Sequence, residues 1–515
     1  MKQTQPLIYA ILIIIGIYIG STSPNNYQYV VNPKLNNIIQ IINHNYVDSI
    51  DKKVFENNTI NSILKALDPH SAYIPLKDFK SVSEDMQGSF SGIGVEFNII
   101  KDSIVVIAPI SGGPSEKLGI RSGDRIISVE GKDVASVGIK NERVITLLRG
   151  KKGSVVNIKI KRRGQVKPIP FAIVRDDIPL YSIDAGIMLT DDIAYIKINR
   201  FSATTYEEML KKTNALTKRG MQKLILDFRS NPGGYLHIAN QICDEFLKAG
   251  ELIVFTKGKN RVKQEVFATN KGSLENISVV VLINEGSASA SEVVSGALQD
   301  NDRGIVIGRR SFGKGLVQEQ ISLNDGSVIR LSTQRYYTPS GRCIQKNYGE
   351  NNKNYYLEQY TREDGEKSSP DSMIYTTKQG RIVYGGGGIT PDIIIKIDTN
   401  VNYWQINDML SKGWINNFCF ETSEYLRTQN IKDYNHINID NIYTDFLTYI
   451  KQTDNAFKLS LAKKELKYLK NLLLANISRN LWDNDIYYKV LSLEDEYIKM
   501  ALKEINHSKE YLFKY

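Results

Sequence analysis

Cysteine is scarce in this 515-residue chain, and its three copies, Cys243, Cys343 and Cys419, stand far apart. An odd, scattered set cannot staple a small domain, and no C-x-x-C pair offers a zinc site. The five histidines, His44, His70, His237, His436 and His507, form no H-E-x-x-H or comparable cluster. Neither a catalytic metal nor a cofactor is therefore expected. Lysine and arginine number 66 against 56 acidic residues. That excess is scattered rather than gathered with aromatics, so no nucleic-acid partner is expected. There is no internal repeat and no long low-complexity tract beyond the glycine run Gly385–Gly388. What is present is the composition of an ordinary globular protein, 42% hydrophobic and 24% charged. The length suits several domains, since single cores rarely grow past roughly 250–300 residues.

The N-terminus differs from the rest. Lys2 precedes an apolar run from Pro6 to Gly20, the pattern of an export signal. The run is short for a spanning helix, which needs roughly 20 apolar residues. No A-x-A site or lipobox cysteine follows, only Gly20-Ser-Thr-Ser23. Export is expected, to the periplasm or to the inner membrane facing it. Residues 7–20 are either removed or kept as a membrane anchor, and a buried core helix is the plainer alternative.

Along the chain the hydrophobic period changes. Leu35, Ile38, Ile39 and Ile42 mark one face of a helix, and helices are expected to end before Pro69. Residues 84–175 read as short strands broken by glycine turns, with Ile104–Ile107 and Val155–Ile160 as examples. From residue 176 strands and helices alternate: strand Ile193–Ile198, helix Thr204–Thr217, strand Leu224–Phe228, and a helix after Gly234 running through Leu247. Strand Ser278–Ile283, helix 290–299 and strand Gly304–Ile307 follow. This is an α/β core with strands buried on both faces. In residues 400–515 Phe457, Leu461, Leu469 and Leu473 recur at helical spacing, so a helical tail is expected. Packing on the core is its leading role, with dimerisation or partner binding as alternatives.

Three segments can carry chemistry. In Asn284–Asp300 a buried strand ends, small residues make a turn (Gly286-Ser-Ala-Ser-Ala-Ser-Glu292), and a helix begins. A helix N-terminus offers unpaired N–H groups to a developing oxyanion, and a serine there can act as nucleophile. Serines also cap helices without chemistry. In Gly313-Lys-Gly315 a lysine between glycines can enter a cleft, where burial lowers its pKa so that it accepts a proton; a solvated loop lysine is the plainer alternative. Asn231-Pro-Gly-Gly234 is either a tight connection or a backbone N–H presented to a carbonyl.

Together these resemble the carboxyl-terminal processing peptidases, or tail-specific proteases, which are serine–lysine peptidases carrying a PDZ domain. The resemblance covers roughly residues 30–395. It rests on Leu67-Asp-Pro-His-Ser71, Phe90-Ser-Gly-Ile-Gly-Val95, Asn231–Gly234, Gly286–Glu292, Gly313–Gly315 with Gln318, and Gly388-Ile-Thr-Pro-Asp392. It implies Ser289 as nucleophile, Lys314 as base, Gln318 orienting that lysine, and the N–H groups of Gly234 and Ala290 as oxyanion hole. It also implies that Gly92, Ile93, Gly94 and Val95 bind the carboxylate of a protein C-terminus, making proteins or peptides with exposed C-termini the expected partners. The expected fold is multidomain, α/β and α+β. It comprises a signal or anchor at 1–22, N-terminal helices at 27–82, a PDZ domain at 84–175, a peptidase core at 176–395 and a helical extension at 400–515. A PDZ adaptor that no longer cuts is the main rival. A Ser-His-Asp hydrolase using His237 is the second, disfavoured because no Gly-x-Ser-x-Gly surrounds Ser289.

Overall fold

The computed structural model describes residues 33–349, 352–362 and 374–507. The apolar run at 7–20 lies outside these residues, and among the described helices none is long and apolar enough to cross a membrane. Two compact units divide at residue 63. In the first, helix Pro33–Asn45 carries the Leu35–Ile42 stripe, and Asp51 accepts from the N–H groups of Lys53 and Val54 at the start of the helix Lys52–Lys65.

The second unit is organised by a six-stranded sheet whose strands follow one another in chain order. An antiparallel edge strand, Ile183–Met188, is joined by the parallel strands Ile193–Ile198, Lys223–Asp227, Ser278–Ile283, Ile305–Gly308 and Ile393–Ile394. Successive residues of a strand face opposite ways, so both faces need cover. Ala194, Ile196 and Ile198 pack with Met209, Ile242 and Val294 of the helices Thr205–Lys218, Leu236–Asp244 and Ala290–Asp300. Ile193 and Tyr195 face the other way, against Ile498, Ala501 and Ile505 from the end of the chain. The helix expected to run through Leu247 ends at Asp244, and the Glu245 carboxylate that follows accepts from the Tyr206 hydroxyl and from the N–H and hydroxyl of Ser273.

A second, antiparallel sheet pairs Leu316–Ser322 with Val328–Tyr337, which also pairs with Ala72–Ile74 and Leu252–Gly258. Residues 95–174 form a third sheet, in the order Val95–Ile99, Ile104–Pro109, Arg125–Val129, Val155–Lys161, Ile169–Val174. Strand Val155–Lys161 alternates strictly between exposed and buried positions. Val144 and Leu148 of helix Asn141–Leu148 close its core. The chain enters and leaves this region side by side, through Ser89–Gly92 paired with Asp176–Pro179.

The tail is helical, but not throughout the expected stretch. Phe457 and Leu461 lie in an extended connection between the helices Ile439–Thr453 and Lys463–Leu481; only Leu469 and Leu473 are on a helix. Their helical spacing misled because both pack from the connection onto the tail's own core, Phe457 edge-on to Trp414 at 5.2 Å. The tail packs on the core, as its apolar content suggests, and also touches the third sheet. Phe420 packs with Ile100, Val105 and Ile107, and Lys101–Glu421 (2.8 Å) and Arg479–Glu96 (2.6 Å) are ion pairs. Ending the chain at residue 400 would uncover the Tyr195 face of the central sheet. The expected result is insoluble protein, read by the soluble fraction after expression, because large exposed apolar patches drive association.

Candidate active site

The functional loops leave the carboxyl ends of three parallel strands, where open α/β sheets bind their ligands. After Lys223–Asp227 come Phe228–Gly234, after Ser278–Ile283 come Asn284–Ser289, and after Ile305–Gly308 come Arg309–Gly315.

Three serines compete for the nucleophile's role, and their surroundings separate them. Ser287 and Ser291 are completely buried. Their hydroxyls are committed to backbone carbonyls: Ser287 to Phe228 at 2.8 Å, Ser291 to Asn231 at 3.1 Å. Ser289 is half-exposed, at the N-cap of Ala290–Asp300, with φ 56° and ψ −113°. A non-glycine residue held at positive φ stores strain that the surrounding structure must sustain. Here the N–H of Ser289 donates to the Glu292 carboxylate at 2.8 Å.

The Asn231–Gly234 turn is set against this one. Asn231 is buried and its side chain binds Ile198 O and Gly233 N–H, while its carbonyl accepts from the Ala288 N–H at 2.9 Å. Gly233 has φ 94°, and a Cβ there would lie 2.8 Å from Ser289 Cβ and 2.9 Å from Ala290 N. At Gly234, φ 151°, a Cβ would meet Phe201 O at 2.0 Å. Only glycine lets these backbones approach. Among the described residues the N–H groups of Gly234 and Ala290 donate to no backbone or side-chain acceptor.

Lys314 is half-buried and its amine donates to Gln318 Oε1 at 2.8 Å. The Gln318 amide cannot turn its NH₂ to the lysine, because that group donates to His70 O at 2.8 Å. Burial, then the Arg330 cation, lower the amine to about 8, with Glu292 and Asp68 pulling weakly the other way. No hydrogen bond joins the Lys314 amine to the Ser289 hydroxyl among the described residues; the two residues are coupled through their backbones. One carboxylate, Glu292, accepts from the N–H of Ser289 (2.8 Å) and Lys314 (2.9 Å) on one oxygen, and from Gly313 N–H (2.7 Å) and Ser311 Oγ (2.5 Å) on the other. The buried Tyr336 hydroxyl bonds the carbonyls of both Ser289 and Lys314. Sequence reasoning assigned Glu292 no role, though a glutamate three residues after a helix-capping serine is a readable signal. Nothing in the sequence pointed to Tyr336.

Among the described residues neither His237 nor the ring of His70 bonds Ser289 or Lys314. His237 is exposed and lies tilted against Tyr235, with ring centroids 5.1 Å apart. His70 is held neutral, its pKa lowered to about 4 by burial and by the Lys314 charge, and its ring pairs with the Tyr355 hydroxyl at 2.8 Å.

Residues 92–95 lie elsewhere, at the start of the edge strand Val95–Ile99. The Ile93 carbonyl is pinned by the N–H (3.1 Å) and hydroxyl (2.6 Å) of Ser115. The N–H groups of Ile93 and Gly94 make no bond among the described residues. The turn thus presents two unengaged N–H donors beside a strand edge.

The model of peptidase family S41 matches residues 192–352, and that of the PDZ domain matches residues 91–170. A carboxy-terminal-processing protease of Bartonella bacilliformis is 35% identical over 332 residues, 63% of this chain and 75% of that protein. The carboxy-terminal processing protease CtpA of Bacillus subtilis is 35% identical over 334 residues, 65% of this chain and 70% of that one. Among solved structures, the photosystem II D1 C-terminal processing protease aligns with a TM-score of 0.38 at 24% identity, covering 70% of this chain and 86% of that one. With an S41 peptidase region, a PDZ domain and relatives of this closeness, the chain belongs to the carboxy-terminal processing proteases, serine-type peptidases that act on protein substrates near their C-termini.

Proposed function

We propose that Ser289 is the nucleophile and Lys314 the base of this peptidase, with Gln318 aligning the lysine. A neutral amine that donates one N–H to Gln318 Oε1 keeps its lone pair free to take a proton. In this reading the lysine side chain turns from Gln318 toward the Ser289 hydroxyl to act. As the proton moves to Nζ, Oγ bonds to the peptide carbonyl carbon, and the oxyanion takes the N–H groups of Gly234 and Ala290. Collapse breaks the C–N bond, the ammonium protonates the leaving amine, and water then hydrolyses the acyl-enzyme. The carboxylate of the substrate binds the Gly92, Ile93, Gly94 and Val95 turn, and the peptide adds to the Val95–Ile99 edge.

The observation carrying this reading is the double clamp of Glu292 and Tyr336 on the backbones of Ser289 and Lys314, beside two unengaged N–H groups. A fluorophosphonate should label the native enzyme at Ser289, located by peptide mass spectrometry. Labelling at another serine, or unchanged labelling of S289A, would refute the assignment.

The lysine implies a pH dependence. The protonated amine is inert as a base, so kcat/KM should rise about tenfold per pH unit below pH 8 and level off above it. Arg330→Met removes a cation that disfavours lysine protonation, so its profile should move to higher pH. Profiles between pH 5.5 and 10 measure both effects.

The run at residues 7–20 supports action outside the cytoplasm, in the periplasm or anchored to the inner membrane facing it. Fractionation of cells expressing the full chain, with and without residues 2–22, tests this.

A further inference from the structure

The tail reaches the two turns assigned above to the oxyanion hole. Arg229 stands two residues before Asn231. Its guanidinium binds the fully buried Asp227, with Nη2 at 2.6 Å and Nε at 3.0 Å from both carboxylate oxygens. The outer edge of that guanidinium meets the tail: Nη1 lies 3.1 Å and Nη2 2.8 Å from the Asp495 carboxylate. On the other turn, Glu285 holds Arg309 with two bonds, at 2.9 and 2.7 Å. The two turns are tied directly through Ser230 N–H and Asn284 Oδ1 at 2.7 Å.

One ring contacts both cations. Tyr497 has the Arg229 guanidinium 4.6 Å from its centroid and that of Arg309 at 5.6 Å. An aromatic ring attracts a guanidinium held over it, here each of the two. The ring also lies against Gly308, where a Cβ would come within 3.0 Å of it. The Tyr497 hydroxyl is buried and finds no hydrogen-bond partner among the described residues. What the position uses is the ring. The pair is rigidly mounted: Asp495 caps the helix Glu496–Glu504 by accepting from the N–H groups of Tyr497 and Ile498, and Ile498 and Ala501 are buried on the central sheet.

We infer that Asp495 and Tyr497, in the helical tail, are positioning residues for peptide hydrolysis. They hold Arg229 and Arg309, and through them keep the Ser230–Gly234 and Asn284–Ala290 turns at the spacing the oxyanion requires. The inference rests on the assignment of Ser289, Gly234 and Ala290 proposed above. It gives the tail a part in the reaction besides covering the sheet.

The test uses the full chain. Asn caps helices as well as Asp, so D495N keeps the cap on Oδ1 while it removes the charge facing Arg229 and turns an NH₂ toward Nη2 where Oδ2 had accepted. Y497F keeps the ring and Y497L removes it. The expected result is a fall in kcat of about 10- to 100-fold for D495N and Y497L, the size of a small misplacement of catalytic groups. KM and the affinity for a C-terminal peptide should stay unchanged, and Y497F should match the native enzyme. A merely structural contact would lower Tm in D495N and Y497L and leave kcat of the folded enzyme untouched; that outcome, or equal losses in Y497F and Y497L, overturns the inference. Fluorophosphonate labelling of S289A runs in parallel. If S289A is still labelled, the reading of the site falls and this inference with it. If S289A is unlabelled while D495N and Y497L keep native kcat, the inference alone falls.

Discussion

Lys314→Ala and Ser289→Ala should each lower kcat by about 10⁴-fold or more, the scale seen when one member of a nucleophile–base unit is removed. Binding of a C-terminal peptide, followed by fluorescence anisotropy, should survive in both, because residues 92–95 lead into the edge strand of a sheet that carries neither Ser289 nor Lys314. Lys314→Arg sharpens the test. A guanidinium keeps the charge and reach of the side chain but does not deprotonate at any accessible pH. If Lys314 served only as a cation near the reacting carbonyl, Arg would retain much of the activity. If it must take the proton from Ser289, Arg should be as inactive as Ala. A K314R enzyme within about tenfold of native kcat would remove the lysine from the base's role.

The second large effect concerns Glu292. Burial pushes its pKa up, opposed by hydrogen bonds from Ser311, Lys314, Gly313 and Ser289. Glu292→Ala strands those four donors in the interior, each at a cost of about 1–3 kcal/mol. Unfolding free energy should fall by several kcal/mol, read from urea melts, and activity should be lost in whatever protein folds. Glu292→Gln is not a mild replacement. The carboxylate divides its donors two to each oxygen, so either orientation of an amide turns its NH₂ against two of them. Both variants should lose the registration of Ser289 with Lys314. A fully active Glu292→Gln would mean that the backbones keep their places without the carboxylate.

Much of this protein is legible along the chain. The strands Ile193–Ile198 and Ser278–Ile283 begin and end where their apolar runs do, because a strand buried on both faces admits few polar residues. The turns at Asn231–Gly234 and Gly313–Gly315 are visible as glycines, and the fold supplies the reason: backbones pass too close for a Cβ. Where local spacing failed, a tertiary contact had won. Phe457 and Leu461 keep a helical interval, yet they lie in a connection held by Trp414 and the tail core.

By itself the sequence determined the peptidase and PDZ regions and the short stretches that carry their chemistry, since tight turns, buried strands and helix starts are encoded within a few neighbouring residues. Only the tertiary structure decided which of the three adjacent serines faces outward. It alone joined Ser289 to Lys314 through Glu292 and Tyr336, and brought Asp495 and Tyr497 to loops more than 180 residues earlier. Such pairings depend on burial and hydrogen bonding between distant segments, and no local periodicity records them.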